Sequence, residues 1–106
     1  MNDIEHLQNE IVERLKPLNP DKIILFGSYA YGEPDEESDI DLFVVKDVEK
    51  DRVRKYKVAL RKSVQELVSR YGIGFDFVVA SEKFLRTRED YFYKKEILER
   101  GKVLYE

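Results

Sequence analysis

The chain has 106 residues and a formal net charge of −3, with 39% of its residues charged and 42% hydrophobic. That length suits one domain over residues 1–106 with a single modest core, and the acidic balance argues against a general nucleic-acid binder, which is usually basic. Cysteine is absent, so disulfides, thiol nucleophiles and zinc-thiolate sites are excluded; no apolar run is long enough to span a bilayer and no signal pattern opens the chain, so a cytoplasmic location without a membrane partner is expected.

Asn2 or Asp3 is placed to cap an opening helix whose apolar residues Ile4, Leu7, Ile11, Val12 and Leu15 keep helical spacing. Pro17 and the Asn19-Pro20-Asp21 turn end it. Residues 22–26 predict a first strand, and Gly27-Ser28 leads from it into a short acidic loop holding Gly32 and Pro34. A second strand is expected over about 39–45, then a long helix over about 51–71 with the stripe Val53, Tyr56, Leu60, Val64, Leu67, Val68 and Tyr71. Gly72 and Gly74 break that helix before a third strand at 75–79. Residues 81–100 read as one or two short helices, Gly101 stops them, and 103–105 form an edge strand. The order α-β-β-α-β-α-β predicts an α/β (α+β) fold, a small mixed β-sheet with helices packed against it.

The chemistry concentrates in the second strand. Alternation puts Asp39 and Asp41 on one face, with Ile40 and Leu42 on the other. The strand is apolar on both faces further along, as a central strand would be. Aspartate is disfavoured in strands and rarely buried without a partner. Two carboxylates side by side repel unless a cation joins them, and Mg²⁺ is typically held by one or two carboxylates plus substrate phosphates. Asp76 repeats the anomaly in the third strand, pointing opposite to Phe75 and Phe77. Gly27-Ser28, directly after a strand, lets backbone N–H groups and a hydroxyl approach a phosphate closely.

Gly-Ser, ten intervening residues, then Asp-x-Asp is similar to the signature of the polymerase-beta-type nucleotidyltransferases. The fuller strings Leu25-Phe26-Gly27-Ser28-Tyr29-Ala30-Tyr31-Gly32 and Ser38-Asp39-Ile40-Asp41-Leu42 resemble the minimal nucleotidyltransferase (MNT) group. The resemblance implies the nucleotidyltransferase fold, with Gly27 and Ser28 on the triphosphate and Asp39, Asp41 and Asp76 as catalytic ligands of two Mg²⁺ ions. It further implies transfer of a nucleoside monophosphate, AMP, from an NTP such as ATP to a hydroxyl acceptor. The usual partner of such proteins is a HEPN-domain toxin, on which the MNT antitoxin adenylylates a tyrosine. No direct nucleic-acid partner is expected. Larger relatives carry a second domain, so a homo-oligomer or hetero-complex is expected to complete the site here. One departure stands out: many relatives carry Arg where this chain has Tyr31. The competing reading is a binding module, an antitoxin that neutralises its partner by contact alone around a vestigial site.

Other features read more simply. His6 lies on the polar side of the first helix and receives no role. Arg54, Lys55, Lys57, Arg61 and Lys62 form a basic helix face, read as solvated. The acidic stretch 33–37 reads as a solubilising loop. Tyr91-Phe92-Tyr93 is divided between core packing and a partner contact.

Overall fold

The computed structural model describes residues 3–106, the side chain of Asp3 excepted, so the cap expected of Asn2 or Asp3 lies outside the described residues. Helix α1 spans Asp3–Leu15 and turns through Lys16–Leu18 into strand β1, Lys22–Phe26. Asn19 takes the left-handed conformation that closes this turn. A four-residue helix, α2 (Ser28–Tyr31), precedes β2, Ile40–Val45. Helix α3 covers Val53–Tyr71, after a single tight turn at Lys50–Arg52. Strand β3 is Phe75–Ala80, α4 is Glu82–Thr87, α5 (Phe92–Glu99) is wound as a π-helix, and β4 is Lys102–Tyr105.

The sheet order is β3-β2-β1-β4. β1 runs antiparallel to both β2 and β4, and β2 runs parallel to β3. The all-apolar tail of β2 follows from its central place, because a strand covered on both faces loses the usual apolar–polar alternation. One face buries Ile23, Leu25, Ile40, Leu42, Val44 and Phe77 against Leu7, Ile11 and Leu15 of α1 and Leu60, Val64 and Leu67 of α3. The other buries Ile24, Phe43 and Val45 beneath Leu85 and Ile97, with Phe92 and Tyr93 packed alongside. The aspartates stand near the starts of the two parallel strands, Asp41 in β2 and Asp76 in β3.

Sequence-specific devices fix the helix ends. Gly72 adopts a left-handed conformation, and its N–H returns to the Val68 carbonyl at 2.8 Å, terminating α3. The Ser81 hydroxyl accepts the Phe84 N–H at 3.0 Å and starts α4. The Tyr56 hydroxyl donates to the Leu18 carbonyl at 3.0 Å, tying the start of α3 to the turn after α1; burial raises its pKa to about 12.

Candidate active site

Register and pleat bring the predicted carboxylates together. Phe26 of β1 pairs with Asp41 of β2, and Asp41 pairs with Asp76 of β3. Residues paired across a sheet project from the same face, so Phe26, Asp41 and Asp76 form a row across three strands. The next row inward is Ile24, Phe43 and Val78. Two carboxylates thus stand at one end of a face whose next row is apolar. Asp39, two residues before Asp41, lies just ahead of β2 and is exposed.

Glycines on both sides hold the backbone close to these acids. Gly27 has φ 77° and ψ −162°, a conformation essentially reserved for glycine. A Cβ on it would collide with Oδ2 of Asp41 and lie 3.2 Å from Cγ. Gly74 plays the matching part for Asp39, whose Oδ1 would be 2.7 Å from a Cβ there. Sequence reasoning took Gly74 only for a helix breaker; its second role depends on a contact the linear chain does not reveal. Ser28 follows Gly27 as the first residue of α2, and its hydroxyl makes no hydrogen bond among the described residues.

The electrostatics follow from the crowding. Partial burial pushes the Asp41 carboxyl above the ordinary aspartate range, and the charges of Asp76 and then Asp39 push it further in the same direction. The anionic form is therefore disfavoured until a cation arrives. Among the described residues no three acidic or histidine side chains are gathered into a ready-made metal cage. The three aspartates expected to share the ions are thus not drawn into one group: Asp41 and Asp76 are paired, and Asp39 stands ahead of β2. The donor set is all hard oxygen. The chain's own residues therefore fit a divalent cation bound together with a phosphorylated substrate.

An aromatic wall borders the row. Phe26 and Phe92 meet edge to face with centroids 5.5 Å apart, and Phe92 meets Tyr93 at 5.0 Å. On the other side of α2, the Arg100 guanidinium lies 3.7 Å from the Tyr31 ring centroid. Neither Phe92 nor Arg100 was singled out for the site from sequence, since both reach it from the far end of the chain. A hollow of about 400 Å³ lies against α2 and the loop after it, lined by residues such as Tyr29, Ala30, Gly32 and Lys102, and another of about 390 Å³ is lined by residues such as Lys46, Val78 and Tyr93.

Comparison with known proteins matches residues 7–105 to the nucleotidyltransferase domain family. Two relatives from Methanocaldococcus jannaschii, both named as candidate protein adenylyltransferases, are similar over most of the chain. The first is 40% identical over 84 residues, which is 79% of this chain and 77% of the relative. The second is 37% identical over 86 residues, covering 77% of this chain and 58% of the longer relative. Among solved structures, a toxin–antitoxin with AMP-PNP superposes with a TM-score of 0.62 and 28% identity, over 92% of this chain and 72% of that one. A mutant of the toxin–antitoxin MntA-HpeT superposes over the same shares with the same TM-score and 26% identity.

Proposed function

The chain belongs to the nucleotidyltransferase domain family, and from that premise we propose that it moves AMP from ATP to the hydroxyl of a partner protein's tyrosine, with two Mg²⁺ ions as cofactor. The partner in this reading is a HEPN-domain toxin, and the chain is its antitoxin. One observation carries the proposal: Asp41 and Asp76 are paired across β2 and β3, and Gly27 is pressed against Asp41 with no room for a side chain. The names of the relatives and the toxin–antitoxin solved with AMP-PNP support the acceptor class.

Asp39, Asp41 and Asp76 would hold the ions. Bound there, divalent cations supply positive charge that offsets the carboxylates and the phosphates and favours in-line displacement. Gly27 and Ser28 orient the β- and γ-phosphates, using the Ser28 hydroxyl that makes no hydrogen bond among the described residues. The acceptor oxygen forms its bond to the α-phosphorus as the bond to the β-phosphate oxygen breaks and pyrophosphate leaves. The acceptor proton passes to Asp76, the more exposed of the paired acids.

The contact-only reading has one observation on its side. Arg54, Lys55, Lys57, Arg61 and Lys62 share the exposed face of α3, and none has an ion-pair partner among the described residues. Such a face suits an acidic partner. Co-expression with the partner, followed by mass spectrometry, separates the two. We expect AMP on a partner tyrosine with the wild-type chain and none with Asp41→Asn. A partner left unmodified yet neutralised equally by both would establish the contact-only reading instead.

A further inference from the structure

Residues 27–41 contain six acidic side chains and no Lys, Arg or His. A segment so charged cannot by itself hold a triphosphate, and metal ions would answer only part of the repulsion. One cation is packed onto it from elsewhere. Leu25 pairs with Lys102 in the antiparallel β1–β4 ladder. Arg100, two residues before Lys102, closes α5 with its N–H on the Lys95 carbonyl. Gly101 makes the approach possible: a Cβ there would be 2.6 Å from Cγ2 of Ile24. The Arg100 guanidinium then lies over the Tyr31 ring at 3.7 Å, within the favourable range for a cation on an aromatic face. Tyr31 is three residues after Ser28 on α2, so the two share a side of that short helix.

Arg100 is also available. Half of its side-chain surface remains exposed, and its one ion-pair partner among the described residues is Glu96, which accepts a 3.3 Å hydrogen bond from Nη1 and leaves the guanidinium's other donors for a ligand. Lys102, the other base near α2, is engaged instead with Gln8 at 2.9 Å. The Tyr31 hydroxyl is buried without a partner among the described residues, so what this residue offers its neighbours is the ring.

We infer that Arg100 is a phosphate-binding residue of the nucleotide site, gripping the β- and γ-phosphates beside Gly27-Ser28, and that the Tyr31 ring is the positioning residue that seats it. This rests on the nucleotidyltransferase reading of the site. It assigns the C-terminal arm, from the end of α5 into β4, a direct part in substrate binding.

Calorimetric titration with Mg²⁺ and AMP-PNP, and separately with AMP, tests the inference. Arg100→Ala should weaken AMP-PNP binding about tenfold or more, the loss expected for a hydrogen bond to a charged group, and leave AMP binding unchanged. Tyr31→Leu should lose part of the same affinity, while Tyr31→Phe keeps the ring and binds as the wild type does. Arg100→Lys should recover only part, because the ammonium lacks the planar fork that stacks and bridges two oxygens. If Arg100→Ala binds AMP-PNP as the wild type does while Ser28→Ala binds it weakly, the inference falls and the nucleotide site stands. Equal losses for AMP and AMP-PNP would make Arg100 merely structural and overturn it. A folded wild-type chain that binds neither nucleotide would overturn the underlying reading as well.

Discussion

At the scale of single residues, part of the candidate site was legible because a strand has a period of two. Alternation put Asp39 and Asp41 on one face and Asp76 opposite Phe75 and Phe77, and the register places Asp41 beside Asp76. Gly74 and Arg100 were not legible, since each acts through a tertiary contact with a residue far away in sequence. The raised pKa of Asp41 gives the first prediction. A carboxyl raised in the folded state binds its proton more tightly there than in the unfolded chain, so this group favours folding less as pH rises through the interval between the two pKa values. In the absence of metal and nucleotide, Asp41→Asn should therefore melt above the wild type at neutral pH. The gain should vanish in acid, where both states carry the proton. Scanning calorimetry from acid to neutral pH checks the sign, and a lower melting temperature for Asp41→Asn at neutral pH would refute it. Gly27→Ala is predicted to do the opposite. It would force a side chain into a conformation costing about 1–3 kcal/mol and displace the Asp41 carboxylate it would strike. Urea titration should register the lost stability, and AMP-PNP titration the lost affinity.

Among the elements, the expected strands and the long helix stand within a residue or two of their sequence bounds, because their apolar patterns are strong. Helix α2 was read as loop; four residues are too few to display a period, and it is bracketed by Gly27, in a glycine-only conformation, and by the left-handed Gly32. The π-winding of α5 also lacks a sequence signal. It brings Phe92, Tyr93 and Ile97 together on the second core, so packing accounts for two residues of the aromatic triplet and only Tyr91 is left mostly exposed, at 67%. The pairing of β4 with β1 was beyond reach as well, since an edge strand does not announce its neighbour. One charged link between elements was not read from the sequence. Arg70 of α3 donates to Glu10 of α1 at 2.9 Å and to Glu66 at 2.8 Å, Arg14 joins Glu66, and the Tyr71 hydroxyl donates to Glu10 at 2.8 Å. The Tyr71 bond, then Arg70, holds Glu10 below the usual carboxylate range; Arg14, then Arg70, does the same for Glu66. A lowered carboxyl contributes stability that is present above its unfolded pKa and fades as pH falls through the folded one. Arg70→Ala should accordingly lower the melting temperature at neutral pH, and the deficit should shrink in acid and in high salt, where exposed pairs are screened. A deficit independent of both would mean that the network contributes through packing alone.

Over the whole molecule, charge is segregated. Acids gather in the loop before β2, cations line the outer face of α3, and mixed networks tie α1 to α3. No helix among the described residues is long and apolar enough to cross a membrane. One end of the sheet carries the carboxylate row, bordered by the Phe26–Phe92 pair and by the arm that delivers Arg100 to Tyr31. The measurement that bears most directly on the central claim compares α-labelled with γ-labelled ATP, using the protein with its co-purified partner and Mg²⁺. We predict that label enters the partner from the α-position only, that none enters from the γ-position, and that Asp41→Asn abolishes the transfer while leaving the fold intact. Transfer of the γ-label, or α-label transfer by a folded Asp41→Asn protein at the wild-type rate, would contradict the account.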